Sequence, residues 1–134
     1  MSSHRRLLVS RSKVYTLNAP TPRAPYAQAI KANGFLFVTG QVSRDAATGE
    51  FVDGPFEAQF RRAIENLDAI LTAGGSSLGQ VTMLTIYMIR HDDLDAMNRL
   101  LGEYFPDPPA RSSFGVGFLW KKCKVMIDAI AVAE

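Results

Sequence analysis

Residues 53–75, DGPFEAQFRRAIENLDAILTAGG, decide the fold. The stretch opens on Asp53-Gly54-Pro55 and closes on Gly74-Gly75, which are signals for the start and the end of a helix. Between these signals, apolar residues recur every three or four positions, as they do along one face of a helix. The sequence therefore predicts an amphipathic helix with one face to bury. That face carries Phe56, Phe60, Ile64, Leu67 and Leu71.

The segment that follows, residues 80–89 (QVTMLTIYMI), is apolar on both of its alternating faces. This pattern is typical of a strand that is buried on both sides. A second amphipathic helix comes next, and we expect Asp92 or Asp93 to cap it. Its apolar face carries Leu94, Met97, Leu101 and Tyr104, and it stops before Pro106, Pro108 and Pro109.

The remaining strands surround these elements. Residues 18–25 contain three prolines, which predicts an extended loop. The pair Asn33-Gly34 is a strong signal for a tight hairpin between two strands. The predicted strands are Lys13–Leu17, Ala27–Ile30, Phe35–Val42, Ser112–Phe118 and Lys124–Val132.

The element order is strands, helix, strand, helix, strands. It predicts an α+β fold in which both helices cover one face of a mixed sheet. Apolar residues on the other face then need a different cover, which two helices cannot supply. An oligomer is therefore expected. The residues concerned include Met126, Ile130 and Val132.

Length and composition place the chain in a broad class. Its 134 residues suit one domain, and 47% hydrophobic with 21% charged residues exclude a disordered or fibrous protein. The single cysteine, Cys123, excludes an internal disulfide framework and a cysteine-based zinc site, which favours a reducing, cytoplasmic location. The longest uncharged run, residues 70–89, is interrupted by glycine and serine, so no membrane span is expected.

Charge is unevenly distributed along the chain. The net charge of +2 is too small to argue for nucleic acid, but the residues before Asp45 carry seven bases and no acid. We expect residues 1–12 to form a flexible basic tail before a single domain at 13–134. A transit peptide is the alternative reading of this Arg- and Ser-rich start. The seven bases are Arg5, Arg6, Arg11, Lys13, Arg23, Lys31 and Arg44.

Arg111 is the strongest candidate for chemistry. The rigid lead-in Pro108-Pro109-Ala110 fixes its direction. Its planar fork takes a carboxylate bidentately and stays charged when water is removed. The alternative is a surface salt bridge. Asp128, which lies within an apolar strand, is expected to pair with an arginine or a lysine.

Other constellations are poorly supported. Cys123 lies between Lys122 and Lys124, which predicts either a reactive thiol of lowered pKa or an inert packing residue. His4 and His91 belong to no recognisable nucleophile–base set. No metal site is expected, because the acids Asp92, Asp93 and Asp95 suit the start of a helix.

Several stretches together resemble the RidA/YjgF family of reactive-intermediate deaminases, some of which carry the older label endoribonuclease L-PSP. The resemblance spans about residues 13–134 in the family's order, and the Pro-Ala-Arg-Ser and Ile-Asp-Ala-Ile-Ala stretches are the most specific. The stretches are Pro25-Tyr26-Ala27-Gln28-Ala29, Phe37-Val38-Thr39-Gly40-Gln41, Ala63-Ile64-Glu65-Asn66-Leu67, Met97-Asn98, Pro109-Ala110-Arg111-Ser112 and Ile127-Asp128-Ala129-Ile130-Ala131-Val132.

The resemblance implies a chorismate-mutase-like fold of the bacillus type, with a trimeric barrel core and a ligand cleft at each subunit interface. It implies hydrolysis of imines and enamines such as 2-aminoacrylate and 2-iminopropanoate to 2-oxo acids, without a cofactor. Arg111 would clamp the substrate carboxylate, and the backbone carbonyl of Ser113 would help to hold the attacking water. Tyr26, Thr39 and Gly40 would line the cleft.

One departure from the family pattern bears on catalysis. Met126 occupies the place of the glutamate that is thought to activate the water, so it would line the cleft without supplying a base. Asp128 matches a second family acid, and it lies about 6.6 Å further along the same strand face, too far for a simple exchange.

Three functions follow from these observations. The first is a deaminase whose water activation is weakened. The second is a non-catalytic trimeric binder of small carboxylates. The third is an RNA-binding or endoribonuclease-like protein, which we disfavour because neither a histidine pair nor an aromatic–basic stripe is evident.

Overall fold

The computed structural model describes residues 10–133. Its helices and strands follow the predicted order. Short 3₁₀ turns lie at Leu78–Gln80, His91–Asp93 and Trp120–Lys122. The elements are β1 Arg11–Val14, β2 Ala29–Ala32, β3 Phe35–Gln41, α1 Phe56–Ala73, β4 Val81–Met88, α2 Leu94–Tyr104, β5 Ala110–Gly115 and β6 Val125–Val132.

All six strands form one sheet in the order β1-β2-β3-β6-β4-β5. The pairs are antiparallel, except that β4 and β5 run parallel. Both helices supply apolar residues to one core with the sheet. The α+β class and the mixed sheet with its two helices are thus confirmed, while the trimeric barrel remains a prediction.

Helix α1 has the boundaries and the buried face that the sequence predicts. It starts after Pro55 and ends at Gly74. All five residues of the predicted apolar face are buried. Gly74 also allows β3 to approach, because a Cβ there would lie 2.6 Å from Leu36 Cδ2. Asn33 and Gly34 adopt positive φ angles of 52° and 82°, as the predicted hairpin requires.

Several predicted boundaries differ from those observed. Strand β1 begins at Arg11, so Arg11 and Ser12 belong to the sheet, whereas residues 1–9 of the predicted tail lie outside the described residues. Asp93 stands at the N-cap of α2, but its side chain makes no capping hydrogen bond. The 3₁₀ turn His91–Asp93 leads into that helix instead.

The face of the sheet away from the helices is only partly covered in the single chain. On β6, Met126, Asp128 and Ile130 are half-buried and Val132 is exposed, whereas the residues that alternate with them are buried. The outer side of β4 is also half-buried or exposed, so the prediction of a strand buried on both sides is not met within one chain. Within residues 10–133, no helix combines the length and apolar character that crossing a membrane requires.

Candidate functional site

Four of the predicted site residues share one cavity. Tyr26, Thr39, Gly40 and Met126 line a space of about 550 Å³ beside β3 and β6, which we call the β3–β6 cavity. The charged residues of its lining are Arg23, Arg44 and Asp128, and Trp120 also belongs to the lining. The cavity therefore combines aromatic walls with groups of both charges.

A kink in β3 shapes the floor of this cavity. The pairing of β3 with β6 shifts register between Val38 and Gln41, as a β-bulge does. Gly40 lies in the shifted segment, and a Cβ at this position would lie 2.6 Å from the Sδ atom of Met126. The glycine therefore lets the Met126 side chain lie directly against the β3 backbone.

Gln28 and Asn66 fix the loops around the cavity. The buried Gln28 side chain donates from Nε2 to the carbonyls of Thr16 and Pro20 at 3.0 Å, and its Oε1 accepts the Thr16 N–H at 2.8 Å. The buried Asn66 side chain, from α1, donates to the carbonyls of Val42 at 3.1 Å and Arg44 at 2.9 Å. Both residues belong to stretches that carried the family resemblance, and both hold backbone that surrounds the cavity.

Within residues 10–133, Asp128 forms no ion pair with an arginine or a lysine. Its Oδ2 accepts a hydrogen bond from the Tyr87 hydroxyl at 3.1 Å. Burial raises the pKa of the Asp128 carboxyl, and hydrogen bonds from Tyr87 and Thr85 oppose that rise. The predicted Asp–Arg or Asp–Lys pair is therefore not formed among the described residues of one chain. The polar residues of the adjacent strand β4 satisfy the carboxylate instead.

Arg111 and Ser113 lie elsewhere, on edge strand β5. Their partners in the parallel register are Leu84 and Ile86, so both side chains are on the helix side of the sheet. Arg111 is exposed, and its Nη1 donates to Ser113 Oγ at 3.2 Å. Among residues 10–133 no carboxylate forms an ion pair with Arg111. The alternative of a surface salt bridge is therefore not observed in the described chain.

The backbone of Ser113 faces the open edge of the sheet. Val116 donates its N–H to the carbonyl of Met88 on β4 at 2.8 Å. Backbone groups alternate in direction along a strand, so the odd-numbered residues of β5 point away from β4. The carbonyl of Ser113 is thus an acceptor on an unpaired strand edge.

The described chain does not bring the two groups of predicted site residues together. Strands β6 and β4 separate β3 from β5, which places their axes about 14 Å apart. The β3–β6 cavity also lies beside the outer face of the sheet, whereas Arg111 lines a separate hollow of about 300 Å³ with Asn98 and Pro109. One ligand would contact both groups only if another copy of the chain supplied one of them.

Cys123 is a buried free cysteine. The residue is fully buried just before β6, and burial raises the pKa of its thiol. Hydrogen bonds with the backbone oppose that rise without cancelling it, so the setting favours the packing residue over a reactive thiol of lowered pKa.

Two basic and two aromatic residues line a second hollow, beside β1 and β3. Arg11 and Lys13 on β1 line one broad hollow together with Tyr26 and Phe37. These residues are distant in sequence, and the pairing of β1, β2 and β3 brings them together. The expectation that the chain has no aromatic–basic stripe for stacking bases stays a prediction, because lining one hollow does not place these side chains in a stripe.

Comparison with known proteins identifies close relatives of the whole chain. A family model described as endoribonuclease L-PSP matches residues 16–133. A RutC family protein of Pyrococcus horikoshii is 44% identical over 122 residues, which cover 90% of this chain and 97% of that protein. A protein of Dermatophagoides farinae named 2-iminobutanoate/2-iminopropanoate deaminase is 34% identical, covering 87% of this chain and 91% of its own.

A solved structure extends the comparison to the fold. The crystal structure of E. coli TdcF with bound serine superposes with a TM-score of 0.86 at 30% identity. The match covers 92% of this chain and 99% of that one. The sheet and both helices described above are therefore shared across the full domain.

Proposed function

Because the chain belongs to the RidA/YjgF family, also described as endoribonuclease L-PSP, we propose that it hydrolyses reactive 2-imino acids and their enamine tautomers. Water adds to the C=N carbon, and the C–N bond then breaks, so that the products are a 2-oxo acid and ammonia. One relative is named for this activity on 2-iminobutanoate and 2-iminopropanoate. This chain needs no cofactor for the proposed reaction.

The observation that carries the proposal is that strand β5 carries both Arg111 and, two residues further on, the carbonyl of Ser113 on the open edge of the sheet. Arg111 has no carboxylate partner within the described chain, so its fork is available for the carboxylate of a substrate. The carbonyl of Ser113, two residues further on, supplies an acceptor for a water molecule. A carboxylate clamp beside a water acceptor suits the hydrolysis of an imino acid.

The proposed active unit is a homotrimer. The β3–β6 cavity and Arg111 are separated within one chain, and the outer sheet face exposes large apolar side chains. A neighbouring copy that covers this face would bury those side chains and bring its Arg111 to the cavity. The exposed residues include Phe35, Phe37, Phe114 and Val132.

The trimer gives a direct prediction of mass. Light scattering coupled to gel filtration, at micromolar protein, is expected to give three times the chain mass of 14.7 kDa. A stable monomer would contradict the trimer and, with it, the cleft shared between copies. An enzyme that was active as a monomer would contradict the proposed division of the site as well.

Water activation is expected to be weak. Met126 lines the cavity but carries no base, and the nearby carboxyl of Asp128 is engaged by Tyr87. Imines are labile, so positioning of the substrate and polarisation by Arg111 supply part of the rate. The proposed enzyme therefore depends on binding geometry more than on general base catalysis.

The proposed activity is tested by generating 2-iminopropanoate in situ and following its disappearance and the release of ammonia. The protein is expected to accelerate hydrolysis above the buffer rate in proportion to its concentration, and Arg111→Ala is expected to abolish most of that acceleration. No acceleration by a folded trimer would contradict the deaminase. A non-catalytic binder of small carboxylates is then favoured. This second candidate is supported by Met126, which lines the cavity at the expected place of the base and supplies none.

A further inference from the structure

We propose that Arg44 makes the β3–β6 cavity a site for a second anionic group, so that dicarboxylic 2-imino and 2-oxo acids are the preferred ligands. The inference about binding stands on the cavity itself, whereas its consequence for substrate choice rests on the proposed function. Arg111 would hold the carboxylate next to the imine, and Arg44 would hold the carboxylate at the end of the side chain.

Arg44 is a buried cation that has more N–H donors than hydrogen bonds within the described residues. The residue is only 8% exposed. Its Nε donates to the Gly49 carbonyl at 3.0 Å, Nη2 to the Thr21 carbonyl at 3.2 Å, and Nη1 to the Tyr26 hydroxyl at 3.4 Å. A guanidinium has five N–H groups, so one on each Nη atom has no acceptor within residues 10–133.

No carboxylate neutralises this guanidinium in the described part of the chain. None of the ion pairs there includes Arg44. The adjacent Asp45 turns its Oδ1 to the backbone N–H groups of Ala47 and Thr48, at 2.9 Å each. A buried charge without a partner is costly, and a carboxylate from a ligand would remove that cost.

Trp120 orients the guanidinium. The Arg44 Cζ atom lies 5.5 Å from the centroid of the Trp120 ring, and the same ring meets Phe51 edge-on at 5.9 Å. Stacking on an aromatic face leaves the edge of an arginine, which carries the N–H groups, to make hydrogen bonds. Arg44, Trp120 and Tyr26 all line the β3–β6 cavity.

Of the charged residues that line the cavity, Arg44 is the buried cation, so it is the group that we expect to bind an anion. Arg23 is largely exposed, and its Nη1 is paired with Glu50 at 3.3 Å. Asp128 accepts the Tyr87 hydroxyl, and Met126 adds no charge to the lining. A ligand carboxylate at Arg44 would therefore have no side-chain carboxylate at the Met126 position as a competitor.

The inference predicts a preference that is measurable with stable 2-oxo acids. We expect the wild-type protein to bind 2-oxoglutarate about tenfold more tightly than 2-oxopentanoate, because the two ligands have the same five-carbon chain and differ by one carboxylate. Isothermal titration calorimetry measures both affinities. Equal affinities in the wild type would overturn the inference without any variant.

Variants then assign the preference to Arg44. Arg44→Gln is expected to remove the preference for 2-oxoglutarate over 2-oxopentanoate. Arg90→Gln is the matched control, since it changes the net charge equally at an exposed position outside the cavity and is expected to keep the preference. A preference that persists in a folded Arg44→Gln protein would overturn the inference.

Arg44 also donates hydrogen bonds to the backbone carbonyls of Gly49 and Thr21, so its replacement can affect folding as well as binding. The two effects are distinguished by a second variant. If Arg44→Gln fails to fold, Arg44→Lys keeps the charge without the fork and is expected to lose most of the preference. If the protein hydrolyses 2-iminopropanoate but shows no preference for dicarboxylates, the inference alone fails. If it prefers dicarboxylates but hydrolyses no imine, the proposed function fails and the anion site stands.

Discussion

Arg111→Ala is expected to weaken the binding of pyruvate and of 2-oxobutanoate about 30- to 1000-fold. A bidentate pair between a guanidinium and a carboxylate, in a cleft that excludes part of the water, contributes about 2–4 kcal/mol. Alanine removes both hydrogen bonds together with the charge. Isothermal titration calorimetry on the trimer measures the affinities directly.

The stability of the fold is expected to survive this change. Arg111 is exposed, and its side chain makes one hydrogen bond within the described residues, to Ser113. Arg111→Lys is expected to recover only part of the affinity, because lysine carries the charge without the planar fork. Arg90→Ala, at another exposed arginine, is the control and is expected to bind like the wild type.

An unchanged affinity in Arg111→Ala would show that the α-carboxylate is held elsewhere. Arg44 is then the next group to test, because it is a buried arginine of the β3–β6 cavity that has no ion-pair partner within residues 10–133. The two arginines are distinguishable by ligand. If Arg111 holds the α-carboxylate, its replacement weakens the binding of every 2-oxo acid, and replacement of Arg44 weakens only that of dicarboxylates. If Arg44 holds the α-carboxylate, its replacement weakens the binding of pyruvate as well.

The helices were predictable because their signals are local. Residues 53–75 contain the start signal, the apolar period and the terminating glycines of α1, and the observed helix Phe56–Ala73 follows from them. The hairpin at Asn33-Gly34 is equally local, since both residues adopt the positive φ angles that the turn requires.

Strand boundaries depended on partners that the sequence does not reveal. Arg11 and Ser12 carry no apolar alternation, and they join the sheet because they pair with Ala32 and Lys31. Strand β5 begins at Ala110 because that residue pairs with Met83 in a parallel register. Such pairings are set by tertiary contacts, so local patterns place the ends of short strands imprecisely.

In the candidate site, too, some residues were predictable from local sequence and others depend on tertiary contacts. Arg111 was found from its proline lead-in and its residue type, and Gln28 and Asn66 lay inside recognised stretches as polar residues among apolar ones. Arg44 gave no such signal. Its setting depends on Thr21, on Tyr26 and on Trp120, which is 76 positions further along the chain, and only the fold brings these together.

Met126 stands where the family resemblance predicts a glutamate, and we expect the rate of catalysis to rise if that glutamate is restored. Met126→Glu is expected to raise the rate of 2-iminopropanoate hydrolysis by up to about 10²-fold, which is the lower range for a positioned general base. The side chain already lies in the β3–β6 cavity against Gly40, so a carboxylate of similar length would enter the same space. Met126→Gln is the matched control, since it has the same shape and no base, and it is expected to give no gain.

The pH dependence and the ligand preference of Met126→Glu test the same account. Partial burial, and Asp128 about 6.6 Å along the strand, are expected to raise the pKa of the new carboxyl. Its gain in rate is therefore expected to be present at high pH and to be lost as the pH falls through that raised pKa. The new carboxylate also shares the cavity with Arg44, so we expect it to reduce the preference for 2-oxoglutarate over 2-oxopentanoate. If the wild type already matches the rate of a glutamate-bearing relative, and Met126→Glu changes neither rate nor preference, then another group holds the water and Met126 does not limit the site.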